Sequence, residues 1–156
     1  MLSLPIVWSF PMRFMSAAVS LGLAGLLLAT PVVAAELEIS DARLRALPGD
    51  RPGAGYFQLH NPGEAAVAVV GAETDAYKSV ELHMSMEQDG MAMMHGVERF
   101  EVGPGETREF APQGYHLMFM QPQATLNVGD NVDVTLLLEG GGEVAATFEV
   151  VSPAAL

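Results

Sequence analysis

From residue 38 onward, apolar and polar positions follow one another in short runs rich in Val, Leu, Phe and Thr, and clusters of turn formers separate the runs. The breaks fall at Asn61-Pro62-Gly63, Asp89-Gly90, Gly103-Pro104-Gly105, Pro112-Gln113-Gly114, Gly129-Asp130 and Gly140-Gly141-Gly142. Proline removes a ladder donor and glycine frees the backbone, so both end strands. The pattern predicts strands over residues 38–43, 55–60, 65–72, 79–86, 92–95, 107–110, 115–121, 131–138 and 143–151. No segment of this region sustains a 3.6-residue period, and neither an internal repeat nor a long linker interrupts it. An all-β sandwich or barrel is expected, an Ig-like or cupredoxin-like β-sandwich being the preferred form.

The first 35 residues break the pattern. Arg13 supplies a positive charge, residues 17–29 run apolar, and Val33-Ala34-Ala35 sets small residues ahead of Glu36, which is the order of a secretory signal peptide. The stretch 2–10 is unusual ahead of such a signal and makes Met12 or Met15 an alternative start. The apolar run is shorter than the ~20 residues that span a bilayer. Residues 1–35 therefore read as a signal peptide cleaved after Ala35, and a periplasmic protein without stable membrane insertion is expected.

Cleavage would leave residues 36–156, which are 121 of the 156 residues and enough for one domain with its own core. That domain, expected to be a monomer, carries six basic against nineteen acidic side chains, a formal charge of −13. Such a field argues against nucleic acid and anionic lipid as partners. It draws in cations and basic protein surfaces, and it also keeps an exported protein soluble.

Candidate chemistry is confined to one window. Every methionine beyond the leader (Met84, Met86, Met91, Met93, Met94, Met118 and Met120) lies there, together with His83, His95 and His116. Thioether sulfur and imidazole nitrogen favour Cu(I) over hard, oxygen-seeking cations. The chain has no cysteine, which removes disulfides, thiolate nucleophiles, iron–sulfur clusters and the thiolate-centred blue-copper site. Thioethers need no deprotonation and cannot be lost to disulfides in an oxidising compartment. The window reads as a copper site.

Strand alternation distributes these side chains. Tyr115, Leu117 and Phe119 are expected to enter the core, with His116, Met118 and Met120 pointing away from it onto one surface. Val80, Leu82 and Met84 share one face of the preceding strand, Met84 as core filler, while Ser79, Glu81 and His83 share the polar face. A hairpin at Asp89-Gly90 would fold residues 91–95 back near His83, so three segments can supply one metal. A slip of one residue in that hairpin would exchange its faces and substitute Met93 or His95 for Met94. His60, outside the window beside a turn, suits a surface or hydrogen-bonding role.

The spacing His83-x10-Met94-x21-His116-x-Met118 resembles that of the periplasmic PCu(A)C copper chaperones. Further similar stretches are residues 55–63, Val80-Glu81-Leu82-His83, Gly105-Glu106-Thr107 and Gly114-Tyr115-His116-Leu117-Met118, and the likeness spans roughly residues 37 to 151. The resemblance implies a cupredoxin-like β-sandwich that binds Cu(I) through His83, Met94, His116 and Met118. It also implies delivery of the metal to cytochrome oxidase assembly, either to the oxidase copper centre or to an assembly factor. Met84, Met86, Met91, Met93, Met120 and His95 exceed the pattern, as an entry path, a second weak site or a docking surface.

Neither a nucleophile elbow nor a phosphate-cradling loop is present, and thioethers stabilise the reduced ion rather than activate oxygen. No enzymatic activity is expected. The expected function is ligand exchange by a copper chaperone. The alternative is a periplasmic buffer or resistance protein that sequesters several copper ions in a methionine-rich hairpin, and a third reading is a metal-free interaction module. No spacing makes a case for Cu(II).

Overall fold

The computed structural model describes residues 37–155, so the expected signal peptide and its cleavage point lie outside the described residues. Ten strands follow in order: β1 Glu38–Arg45, β2 Gly53–His60, β3 Val67–Glu73, β4 Tyr77–Gln88, β5 Met91–Gly96, β6 Phe100–Val102, β7 Thr107–Phe110, β8 Tyr115–Pro122, β9 Asn131–Leu138 and β10 Glu143–Val151. A 3₁₀ turn, Pro153–Ala155, follows them. All nine expected strands are present with ends moved by a few residues. The tenth, β6, escapes prediction because three residues are too few for alternation to register, and it forms by pairing Val102 with Val67.

The strands run β5-β4-β8-β2-β1-β10-β9-β3-β6, and a further bridge from Ala72 of β3 to Val80 of β4 closes seven of them into a ring. Closure leaves few free edges. The contact between β1 and β10 is parallel and the others are antiparallel. This is an all-β, cupredoxin-like sandwich, as expected.

Alternation fills the interior. Leu44, Leu59, Leu117, Phe119, Leu136 and Phe148 are fully buried. Phe57 stacks on Phe110 at 4.3 Å and meets Phe148 edge-on at 5.6 Å. Gly55 is required here, since a Cβ at that position would lie 2.6 Å from Phe119 Cε2. Asn61, 1% exposed, ties the β2 exit by donating from Nδ2 to the carbonyls of Ala65 and Val102 and accepting from the Gly63 amide.

Two departures from regular pairing shape the outer face. In β1 the register shifts between Ser40 and Arg43, with Asp41 at φ 52°, so one extra residue is inserted. Such a bulge reverses the facing of everything after it. Ser40 opposes Gln58 before it, whereas Arg43 opposes Tyr56 and Arg45 opposes Ala54 after it. The second departure is the β4–β5 ribbon, whose pairing continues to Gln88 and Met91 while β8 leaves β4 at Met84. Asp89 and Gly90, at φ 54° and 76°, close the ribbon with the two left-handed residues of a type I′ turn.

Candidate metal centre

The β4–β8 ladder pairs Glu81 with Met118, Leu82 with Leu117, His83 with His116 and Met84 with Tyr115. Opposed residues share a face, so His83, His116, Met118 and Met120 stand outside while Leu82, Leu117 and Phe119 stand inside. On the other side of β4, His83 opposes Gly96 and Ser85 opposes Met94. Met94 is therefore diagonal to His83 on the outer face, at the ~7–8 Å typical of such neighbours. Met93 and His95, opposite Met86 and Met84, lie on the reverse face. The two-residue turn sets this register, which gathers His83, Met94, His116 and Met118 on one face across three strands.

Direction and burial part company at His116. It points outward as expected, yet it is 3% exposed instead of lying on an open surface. The cause is a cover on the outer face of β2. The Tyr56 ring, itself buried, lies 6.3 Å from His116, and the Arg45 guanidinium sits 5.7 Å above Tyr56. The β1 bulge delivers Arg45 to that position. Sequence reasoning missed Tyr56 and Arg45, because their contact depends on β1, β2 and β8 being neighbours.

The two imidazole rings are 5.9 Å apart, centroid to centroid, and inclined at 50°. His116 Nδ1–H donates to the Gly114 carbonyl at 3.1 Å, an acceptor only, which leaves the Nε2 lone pair free. His83 Nε2–H donates to Glu81 Oε2 at 3.0 Å and leaves the Nδ1 lone pair. That Nδ1 is buried and has no partner among the described residues. A buried, unpaired acceptor of this kind is uncommon in a folded chain and calls for a partner from outside. Glu81 shares the polar face with His83, which was legible, but its role as the anchor of the ring was not read.

Burial pushes the His116 imidazole below its usual range; the Gly114 hydrogen bond opposes this, and the charges of His83 and Arg45 add to it. The ring therefore keeps its neutral, electron-donating form into mildly acidic solution. Met118 and Met120 are half-buried, whereas Met94 is 50% exposed on the ribbon. Among the described residues no three His, Asp or Glu side chains gather into a metal-binding group. An ion on this face would need sulfur beside nitrogen.

The remaining candidates lie elsewhere. His60 meets Thr107 Oγ1 through Nδ1 at 2.9 Å at the far end of β2, the hydrogen-bonding role expected of it. Met84 is half-buried at the rim of the core rather than within it. Met86 and Met91 are exposed.

A family model described as Putative lipoprotein LpqE-like matches residues 37–150. The chain belongs to this family. It is the PCu(A)C family, to which the spacing pointed. A relative, the putative lipoprotein Lxx21020 of Leifsonia xyli subsp. xyli, is 31% identical over 133 residues, covering 80% of each chain. Two solved structures share the PCu(A)C fold. The copper-bound PCuAC domain from PmoF2 is 23% identical at a TM-score of 0.63, covering 75% of this chain and 93% of that one. The Cu(I) form of DR1885 from Deinococcus radiodurans is 27% identical at a TM-score of 0.60, covering 74% of this chain and 79% of that one. Among the described residues of this PCu(A)C chain, no helix is long and apolar enough to cross a membrane.

Proposed function

We propose that this protein is a copper chaperone that carries Cu(I) as cargo on the outer face of β4 and β8, held by His83, Met94, His116 and Met118. The observation that carries the proposal is the pairing of His83 with His116, two rings 5.9 Å apart with a free lone pair on each and sulfur at Met118 and Met94 on the same face. The likeness to the Cu(I) form of DR1885 supports it. Four neutral donors leave only the single charge of the ion, so desolvation is modest, and an incoming ligand can displace one thioether at a time. Transfer then proceeds by ligand exchange, without turnover and without opening the core.

In this reading residues 1–35 are removed on export, residues 36–156 form the copper-binding domain, and the periplasm is its compartment. The lipoprotein description of the family and of its Leifsonia relative supports export. The acceptor is a copper-requiring partner of the cytochrome oxidase assembly kind, either the copper centre or an assembly factor. The test is an anaerobic Cu(I) titration of the protein against a competing chelator, beside a Met94→Leu, Met118→Leu double variant. One tight equivalent lost by the variant is the expected result. Tight binding that the double substitution leaves unchanged would overturn the assignment.

A further inference from the structure

The reverse face of the β4–β5 ribbon carries a second set of soft donors that the first face does not use. The register opposes Met84 to His95 and Met86 to Met93, and the next pair is Gln88 with Met91. Directly opposed side chains have Cβ atoms ~4.5–5.5 Å apart. Two consecutive pairs on one face therefore place three thioethers and one imidazole around a common point. Met86 and Met93 are 41% and 37% exposed and His95 is exposed, so these side chains are not core filler. Met84, half-buried, is their inner end and opposes Tyr115 of β8 at the rim of the core.

The surroundings favour a soft, singly charged ion. No acidic side chain stands among these four residues, whereas Glu81 and Glu87 are on the other face, Glu87 opposite Ala92. Behind Met84, the Tyr115 ring packs edge-on against Phe100 at 4.6 Å and makes an apolar wall. Arg108 lies over those two rings and is paired with Glu106 at 3.1 Å. Methionine, unbranched and with three rotatable bonds, adapts its sulfur to an ion without backbone movement.

We infer that the reverse face of the ribbon binds a second Cu(I) through Met84, Met86, Met93 and His95. The site is separate from the one proposed above, because alternation sends Met93 and Met94 to opposite sides of the same ribbon. Each ion can therefore be removed without touching the ligands of the other.

The test combines anaerobic Cu(I) titration against bathocuproine disulfonate with NMR of ¹³C-methyl methionine. Two equivalents are expected, one shifting the methyls of Met94 and Met118, the other those of Met84, Met86 and Met93. Met86→Leu with Met93→Leu, substitutions on the exposed ribbon that leave the core untouched, should lose the second equivalent and keep the first. Met94→Leu with Met118→Leu should do the reverse. A single equivalent lost only by the Met94 and Met118 variant overturns the second site, as does a second equivalent that survives the loss of Met86 and Met93 sulfur. Movement of the Met86, Met93 and Met94 methyls together in one equivalent also overturns it, since all would then serve one ion. Binding lost only by the Met86 and Met93 variant would leave this site standing and remove the His83 site instead.

Discussion

Replacing Tyr56 with alanine separates the burial of His116 from its position on β8. The Tyr56 ring is 7% exposed and lies 6.3 Å from His116, with the Arg45 guanidinium 5.7 Å over it. Deleting a buried aromatic ring costs about 3–5 kcal/mol. The lower end, about 3 kcal/mol, is expected here because the Arg45 stem can settle into part of the space. A domain of typical stability survives such a loss. The chemical effect falls on His116. Burial is the main force that lowers its pKa, so admitting water should raise the value toward the ordinary ~6.5. At pH 5.5 an unperturbed imidazole is about nine-tenths protonated, and since only the neutral ring binds, Cu(I) affinity should fall by up to about tenfold relative to a neutral His116. At pH 8 the two proteins should bind alike. Imidazole NMR titration of the metal-free protein reads the first effect, and chelator competition at both pH values reads the second. A His116 that titrates no higher in Tyr56→Ala than in the parent would refute the account of its burial.

Glu81→Ala removes the acceptor that holds His83 Nε2–H. It should weaken Cu(I) binding by about 10–100-fold with little change in melting temperature, and equal binding by parent and variant would show that the ring needs no anchor. Gly55→Ala drives a Cβ to 2.6 Å from Phe119. It should destabilise the fold by about 1–3 kcal/mol, read as a lower urea midpoint at constant slope. The metal-free protein should lose stability in acid through His116. Its folded pKa is depressed, so the contribution is present above the unfolded value near ~6.5 and is lost as pH falls from there through the folded value. Chemical unfolding at pH 7.5 and 5.5 measures it, and equal His116 contributions at both, from comparison with His116→Gln, would contradict the sign.

The strands were legible because alternation and Gly/Pro punctuation are local. The Asp89-Gly90 turn was legible for the same reason, and its two left-handed residues then dictate which of Met93, Met94 and His95 stand beside His83. The cover over His116 was not. It needs β2 beside β8, β1 beside β2, and a bulge at Asp41 that turns Arg45 outward, and none of these leaves a mark within a window of ten residues. Alternation reports which side of its sheet a residue occupies. Whether that side is wet depends on what a neighbouring strand lays over it, which is why His116 had the expected direction and an unexpected environment.

That environment bears on how a carrier can hold an ion firmly and still release it. Of the four proposed donors, His83, His116 and Met118 stand on β4 and β8, paired along seven positions within the closed ring. Met94 stands on β5, which ends the strand order, has β4 as its sheet neighbour and is exposed along its whole length. An element with little buried apolar surface opens at lower cost than the core to which it is attached. An acceptor would meet Met94 first, displace one thioether while Gly114 anchors the His116 ring and Glu81 the His83 ring, and find the remaining three donors still in register. At the proposed site, the division between a fixed wall and an exposed ribbon would let exchange begin at the outside while the histidines kept the ion in place.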